Sequence, residues 1–286
     1  MIVEDATGWM CPSAEIYRLS EGELTFVPEV VQSYHPDRAC HAEDLPKLVI
    51  MTFDVEDETN LWFAIRFARV QKTHVLRIAV LQMKDERLND ADDGPLANRI
   101  KMLRDAFDIV FPAVKEDAED VIRRFVRTMT GGPSQSIRCD WRDIRHIVGG
   151  RRGSTPARFG FGRGRGGQRF MQAAGDALNR IRAQDGGMKD ASGICILIAS
   201  HPDHLFGRDI RDVTAHVRSC LKPEATIAIA VEYADTMPEE EAEVDVFAFG
   251  GKAKDDPVPA IRQGVGEAGG TTLSGADCIP AYLSKS

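Results

Sequence analysis

Apolar positions are weakly ordered over residues 1–46 and become regular from Lys47 onward. Leu48-Val49-Ile50-Met51-Thr52-Phe53 is a nearly unbroken apolar run of strand length, which suits a strand covered on both faces. Residues 60–72 space Leu61, Ala64, Ile65, Ala68 and Val70 along one side of a helix. A second buried strand is predicted over 75–81 and a third over 107–114, with a charged helix between them at about 96–107. This order predicts a parallel α/β sheet. Residues 118–130 form an amphipathic helix, stopped by Gly131-Gly132-Pro133. A second set follows: a helix over 167–182, a strand over 193–199, a helix over 210–221, and strands over 226–231 and 244–249. An acidic turn from Asp235 to Glu241 separates the last two, so a mixed or antiparallel four-stranded sheet is expected. After Gly250-Gly251 the chain is rich in Gly, Asp and Pro and reads as a flexible linker over 251–276, ahead of a short amphipathic tail. No internal repeat is found.

With 286 residues, 43% hydrophobic and 28% charged, the composition is that of a globular chain of about two domains. No apolar run approaches the ~20 residues that span a bilayer. The first residues carry Glu4 and Asp5 in place of a basic n-region, so no secretory leader is expected either. The cysteines at 11, 40, 139, 195, 220 and 278 are scattered without a C-x-x-C pair, which predicts a reduced cytoplasmic protein with no disulfide and no metal site. A net charge of −8 argues against bulk nucleic-acid binding, but the charge is uneven. Residues 138–169 hold nine arginines against Asp140 and Asp143, leaving −15 for the rest of the chain. Such asymmetry bears on docking partners.

Three local motifs each admit two readings. Asp54, Glu56, Asp57 and Glu58 follow the first buried strand. They read either as acids complementing a helix N-terminus or as a charged face for a cationic partner. His201-x-Asp203-His204 has a metal-like spacing, but without further His or Asp clustering a turn is preferred. Gly162-Arg163-Gly164-Arg165-Gly166-Gly167 has the composition of a nucleic-acid-binding RGG element. Its place between a predicted strand and helix favours a structured loop.

Several segments, in order, match one family. Ala118-Glu119-Asp120-Val121-Ile122 resembles Ala-Asp-Asp-Val-Leu of the long central helix of FtsZ, in the tubulin/FtsZ family. Ile137-Arg138-Cys139-Asp140-Trp141-Arg142-Asp143-Ile144 resembles Ile-Asn-Val-Asp-Phe-Ala-Asp-Val, the synergy loop that reaches the neighbouring subunit's nucleotide. Gly160-Phe161-Gly162, then Arg169, Ala173 and Ala174, resembles Gly-Ile-Gly followed by Arg and an Ala-Ala pair. Pro223-Glu224-Ala225-Thr226-Ile227 resembles Pro-Asp-Ala-Asn-Ile, and 243–250 loosely resembles the family's last strand. The tail Asp277-Cys278-Ile279-Pro280-Ala281-Tyr282-Leu283 is similar to Asp-x-Pro-x-Phe-Leu-Arg, the family's adaptor-binding peptide, with Ser284 where the family has Arg. The resemblance implies a two-domain α/β fold. It would have a truncated or degraded parallel-sheet nucleotide domain over 1–117, a connecting helix over 118–135, an α+β domain over 136–250, the linker, and the adaptor peptide over 277–286.

The departures fall on nucleotide chemistry. The family's first strand, Gly-rich turn and helix have no counterpart in 1–46. Where Gly-Gly-Gly-Thr-Gly-Thr-Gly should follow the strand, the chain reads Phe53-Asp54-Val55-Glu56-Asp57-Glu58-Thr59-Asn60. Glycines there let backbone N–H groups close around phosphate. Each carboxylate close to a phosphate charge would instead repel it by about 1 kcal/mol in water and about 4 at an effective dielectric of 20. The resemblance with these departures implies an FtsZ-like division protein that binds no nucleotide cofactor and has no catalytic residue, Asp140 and Asp143 being vestigial. It implies docking on FtsZ or on itself, head to tail, through Arg138, Asp140, Arg142 and Asp143 on one face and Asp54, Glu56, Asp57 and Glu58 on the other. It implies docking on membrane adaptors through Ile279, Pro280, Tyr282 and Leu283, with no insertion in the membrane, in the cytoplasm at the division site. Asp140 and Asp143 also fit a plain helix-capping role. A genuine GTPase with a divergent site, and a module binding anionic polymers through 138–169 with steep salt dependence, are the alternatives.

Overall fold

The computed structural model describes residues 14–20, 23–26, 48–71, 75–83, 95–130, 135–137, 139, 141–148, 157–184, 188–189 and 191–250. Its first sheet is built from β1 (Ala14–Ser20), β2 (Glu23–Phe26), β3 (Leu48–Asp54), β4 (Leu76–Met83) and β5 (Ile109–Val114). The spatial order is β2-β1-β3-β4-β5. All neighbours are parallel except the β1–β2 pair, which is an antiparallel hairpin. Residues 48–53 are all buried, as are 76–81, which is why these strands read as apolar runs without alternation. Helices α1 (Glu58–Val70) and α2 (Pro95–Ala106) cover one face of this sheet, where Phe53, Ile65, Leu81 and Leu103 share one core.

The other face packs on α3 (Ala118–Thr130). Ala118, Val121, Ile122, Phe125, Val126 and Met129 recur at helical spacing and are buried. Beyond α3 come β6 (Gln135–Ile137), α4 (Trp141–Val148), β7 (Arg158–Arg165), α5 (Arg169–Ala183), β8 (Gly193–Ser200), α6 (Gly207–Arg218), β9 (Thr226–Tyr233) and β10 (Glu241–Phe249). The second sheet has the order β6-β9-β8-β10-β7, with β8–β9 parallel and the other pairs antiparallel. One face meets α5 and α6; the other meets α3 and α4. The two domains therefore share a core through α3. Phe125 on α3 lies 5.5 Å from Phe111 of β5 and 5.2 Å from Phe247 of β10, centroid to centroid, in edge-to-face contact.

Three expectations need correction. Residues 14–26 do carry a strand pair, with β1 in parallel register on β3 (Ile16 opposite Ile50). What departs from the family is its sequel, because two residues join β1 to β2 where a Gly-rich turn and helix were expected. The second sheet has five strands, not four, because β6 and β7 escaped the apolar pattern, and β9 and β10 flank β8 without pairing with each other. The RGG-like segment is not a loop. Residues up to Arg165 form β7, with Gly160, Gly162 and Gly164 set against α5; a Cβ at any of them would run into the α5 backbone.

Candidate functional site

The parallel strands β1, β3, β4 and β5 all end at one edge of the first sheet, where the starts of α1 and α3 converge. A cavity of about 420 Å³ opens there, the place where open α/β sheets bind their ligands. Arg18, Asp54, Asp57, Asn60, Lys115 and Glu119 supply most of its polar lining. Arg18 and Glu119 satisfy each other at 2.9 Å. On the sheet itself Gln82 Nε2 donates to Thr52 Oγ1 at 3.3 Å.

The acidic loop is a closed, self-satisfied turn. Asp54 Oδ1 accepts from the Glu56 N–H at 2.8 Å. Asp57 is the N-cap of α1, and its Oδ1 accepts from the N–H groups of Thr59 at 2.9 Å and Asn60 at 3.2 Å. Arg99 Nη1 clamps the turn from α2, donating to the carbonyls of Val55 at 3.1 Å and Glu56 at 2.8 Å. Two of the amides that would meet an anion at this helix N-terminus are thus already taken by the chain's own carboxylate. Of the four acids, Asp54 and Asp57 line the cavity while Glu56 and Glu58 lie exposed outside it.

The opposite candidate face is only partly described. Asp143 is exposed in the first turn of α4. Arg138 and Asp140 lie outside the described residues, as does the side chain of Arg142. Ile279, Pro280, Tyr282 and Leu283 also lie outside them. His201 caps a short turn, accepting from the Asp203 N–H through Nδ1 at 3.4 Å, and His204 Nε2 meets Glu239 at 3.1 Å. No group of three or more metal-ligating side chains assembles among the described residues. Nor is any described helix long and apolar enough to cross a membrane.

Sequence reasoning missed a buried ionic network under α3. Arg124 binds Asp120 at 2.8 Å and Asp245 at 2.7 Å; Arg127 binds Glu232 at 2.7 Å and Glu243 at 3.0 Å. Arg163 joins at Glu243 and Arg165 pairs with Glu241, so two arginines of the RGG-like segment serve the strand pair β7–β10. Phe161 is sandwiched between Arg124, 4.2 Å from its centroid, and Arg180, at 3.7 Å. Burial pushes the Asp245 carboxyl up to about 6 even though Arg124 and Arg127 pull it down. Glu243 is pushed up by burial but pulled further down by the hydrogen bond and charge of Arg127, helped by Arg124 and Arg163. The visible signal was Arg124 and Arg127 three apart on a helix, with acids at 243 and 245 alternating with apolar strand residues.

No known protein-family pattern and no curated protein sequence matches the chain. Solved structures do. An FtsZ mutant from M. jannaschii aligns with a TM-score of 0.56 at 19% identity, over 72% of this chain and 65% of that one. CetZ from Methanosaeta thermophila aligns at 0.53 and 10% identity, over 72% of this chain and 61% of that one. The chain spans less than two-thirds of the length of each. The likeness is one of fold, and the fold is the two-domain tubulin/FtsZ-like α/β architecture.

Proposed function

We propose that this chain is an FtsZ-like division protein that has given up GTP binding. In this reading it acts on the FtsZ ring, or on its own copies, by head-to-tail docking. The observation that carries the reading is the capped acidic turn. Asp57 fills the anion position at the start of α1, and Asp54 stands beside it in the cavity where a phosphate-binding chain needs glycines. The hairpin β1–β2 supports it further, since no helix N-terminus follows β1 to supply a second set of amides. Docking would use the arginine-rich face around Arg138, Asp140, Arg142 and Asp143 against an acidic or phosphate-bearing face. The tail at Ile279, Pro280, Tyr282 and Leu283 would engage membrane adaptors at the division site.

Calorimetric titration of the purified chain with GTP and GDP, with and without magnesium, tests the reading. Binding no tighter than millimolar is expected. Micromolar affinity that is lost when Asn60 is replaced by Ala would make the protein a GTPase with a divergent site and overturn the proposal.

A further inference from the structure

We infer that the cavity at the ends of β1, β3, β4 and β5 takes a small zwitterion whose ammonium and carboxylate stand several bonds apart, the chemistry of an ω-amino acid or a short peptide. The argument starts from which charges in the cavity are already spent. Arg18 and Glu119 neutralise each other. Asp54 and Asp57 each commit Oδ1 to backbone N–H groups of the turn, and no donor among the described residues meets either Oδ2. The Lys115 ammonium lines the same cavity and has no hydrogen-bond or ion-pair partner among the described residues. The unspent charge is thus one cation and two half-used carboxylates around a roomy cavity.

That combination discriminates by chemistry. A phosphate would gain Lys115 but face Asp54 and Asp57 at close range, and a simple carboxylate would meet the same repulsion more weakly. A diamine would satisfy the carboxylates and leave its second charge beside Lys115. A zwitterion meets both signs with both ends. The topology sets its length. Asp54 ends β3 and Lys115 follows β5, with β4 between, so their strands stand two spacings or about 9.6 Å apart. The two charged ends of an α-amino acid are too close together to reach both. Asn60, Thr52 and Gln82 supply further polar contacts along the way.

The inference rests on the reading that this cavity does not hold nucleotide, and one experiment separates the two. Thermal unfolding of the full chain would be followed with 6-aminohexanoate, glycine, hexanoate, hexane-1,6-diamine and GTP in parallel, with affinities taken from the concentration dependence. A rise in Tm with 6-aminohexanoate, exceeding that with the other four, is expected. Lys115→Ala and Asp54→Asn should each weaken the effect about tenfold, the size of a lost charge-assisted contact. Lys189→Ala, an exposed lysine far along the sequence, should leave it unchanged. No response to 6-aminohexanoate, or an equal response in Lys115→Ala, overturns the inference alone. A response to GTP at micromolar concentration overturns the proposed loss of nucleotide binding as well.

Discussion

Asp245 is the residue whose environment departs furthest from water. It is fully buried in β10, Arg124 holds one carboxylate oxygen at 2.7 Å, and Oδ2 has no hydrogen-bond partner. Asp120, Glu232, Glu243, Arg127 and Arg163 complete the charged surroundings. The folded value of about 6 lies above the ordinary 3.8, so the folded chain holds this proton more tightly than the unfolded chain. The stability it contributes is fully present below the ordinary value and is lost as pH rises through about 6. The amount is on the order of 3 kcal/mol. Glu243 has the opposite sign, because its lowered folded value gives stability above its ordinary 4.5 that disappears as pH falls through the folded value. The window between pH 4 and 6 therefore belongs to Asp245. Urea unfolding across that window should show the Asp245 contribution in the wild type and not in Asp245→Asn. An unchanged pH slope in the variant would place the titration elsewhere.

At the scale of elements, β7 and α5 are joined by the absence of side chains. Gly160, Gly162 and Gly164 alternate with Phe161, Arg163 and Arg165, so the strand shows glycine to the helix and large residues to the other side. Gly162→Ala would drive a Cβ into the Ala173 carbonyl. It should cost about 2 kcal/mol or more, at the upper range of overpacking. Gly175, inside α5, has nothing within 4 Å of where a Cβ would stand. Gly175→Ala should stabilise by up to about 1 kcal/mol through helix propensity. Denaturation midpoints of the two variants moving in opposite directions would support this account; a neutral Gly162→Ala would refute it. The same alternation explains what was hidden in the sequence. A period of two is a strand signal only when apolar side chains mark it, and here glycine and arginine did. β1 was hidden by Glu15 and Arg18 among its apolar residues, and β6 by having only three residues. By contrast β3, β4 and β5 were plain, since burial on both faces leaves nothing but apolar residues, and α3 was bounded correctly at both ends by its stripe and by Gly131-Gly132-Pro133.

On the whole molecule, the candidate site was legible in its chemistry and not in its geometry. The acids at 54–58 stood out by replacing glycines, but only folding shows that Asp54 and Asp57 face the cavity while Glu56 and Glu58 do not. Lys115 and Arg18 come from segments far apart in sequence, and no spacing rule joins them. The uneven charge bears on assembly. A segment at +7 over 138–169 belongs to a chain otherwise at −15, although Arg163 and Arg165 are partly committed to Glu243 and Glu241. The arginines left for docking are thus those nearest Asp140 and Asp143. Copies meeting head to tail would set Arg138 and Arg142 against the acidic turn, and an FtsZ subunit would offer them phosphates in place of carboxylates. Either contact should weaken with salt, because the screening length falls from about 10 Å at 0.1 M to about 3 Å at 1 M. Sedimentation of the chain alone and mixed with FtsZ, across a salt series, should show association at low salt that fades as salt rises. Arg138→Glu combined with Arg142→Glu should abolish it while leaving the unfolding curve in place. A wild-type chain that stays monomeric and leaves FtsZ assembly untouched at low salt would remove charge docking from the proposed function.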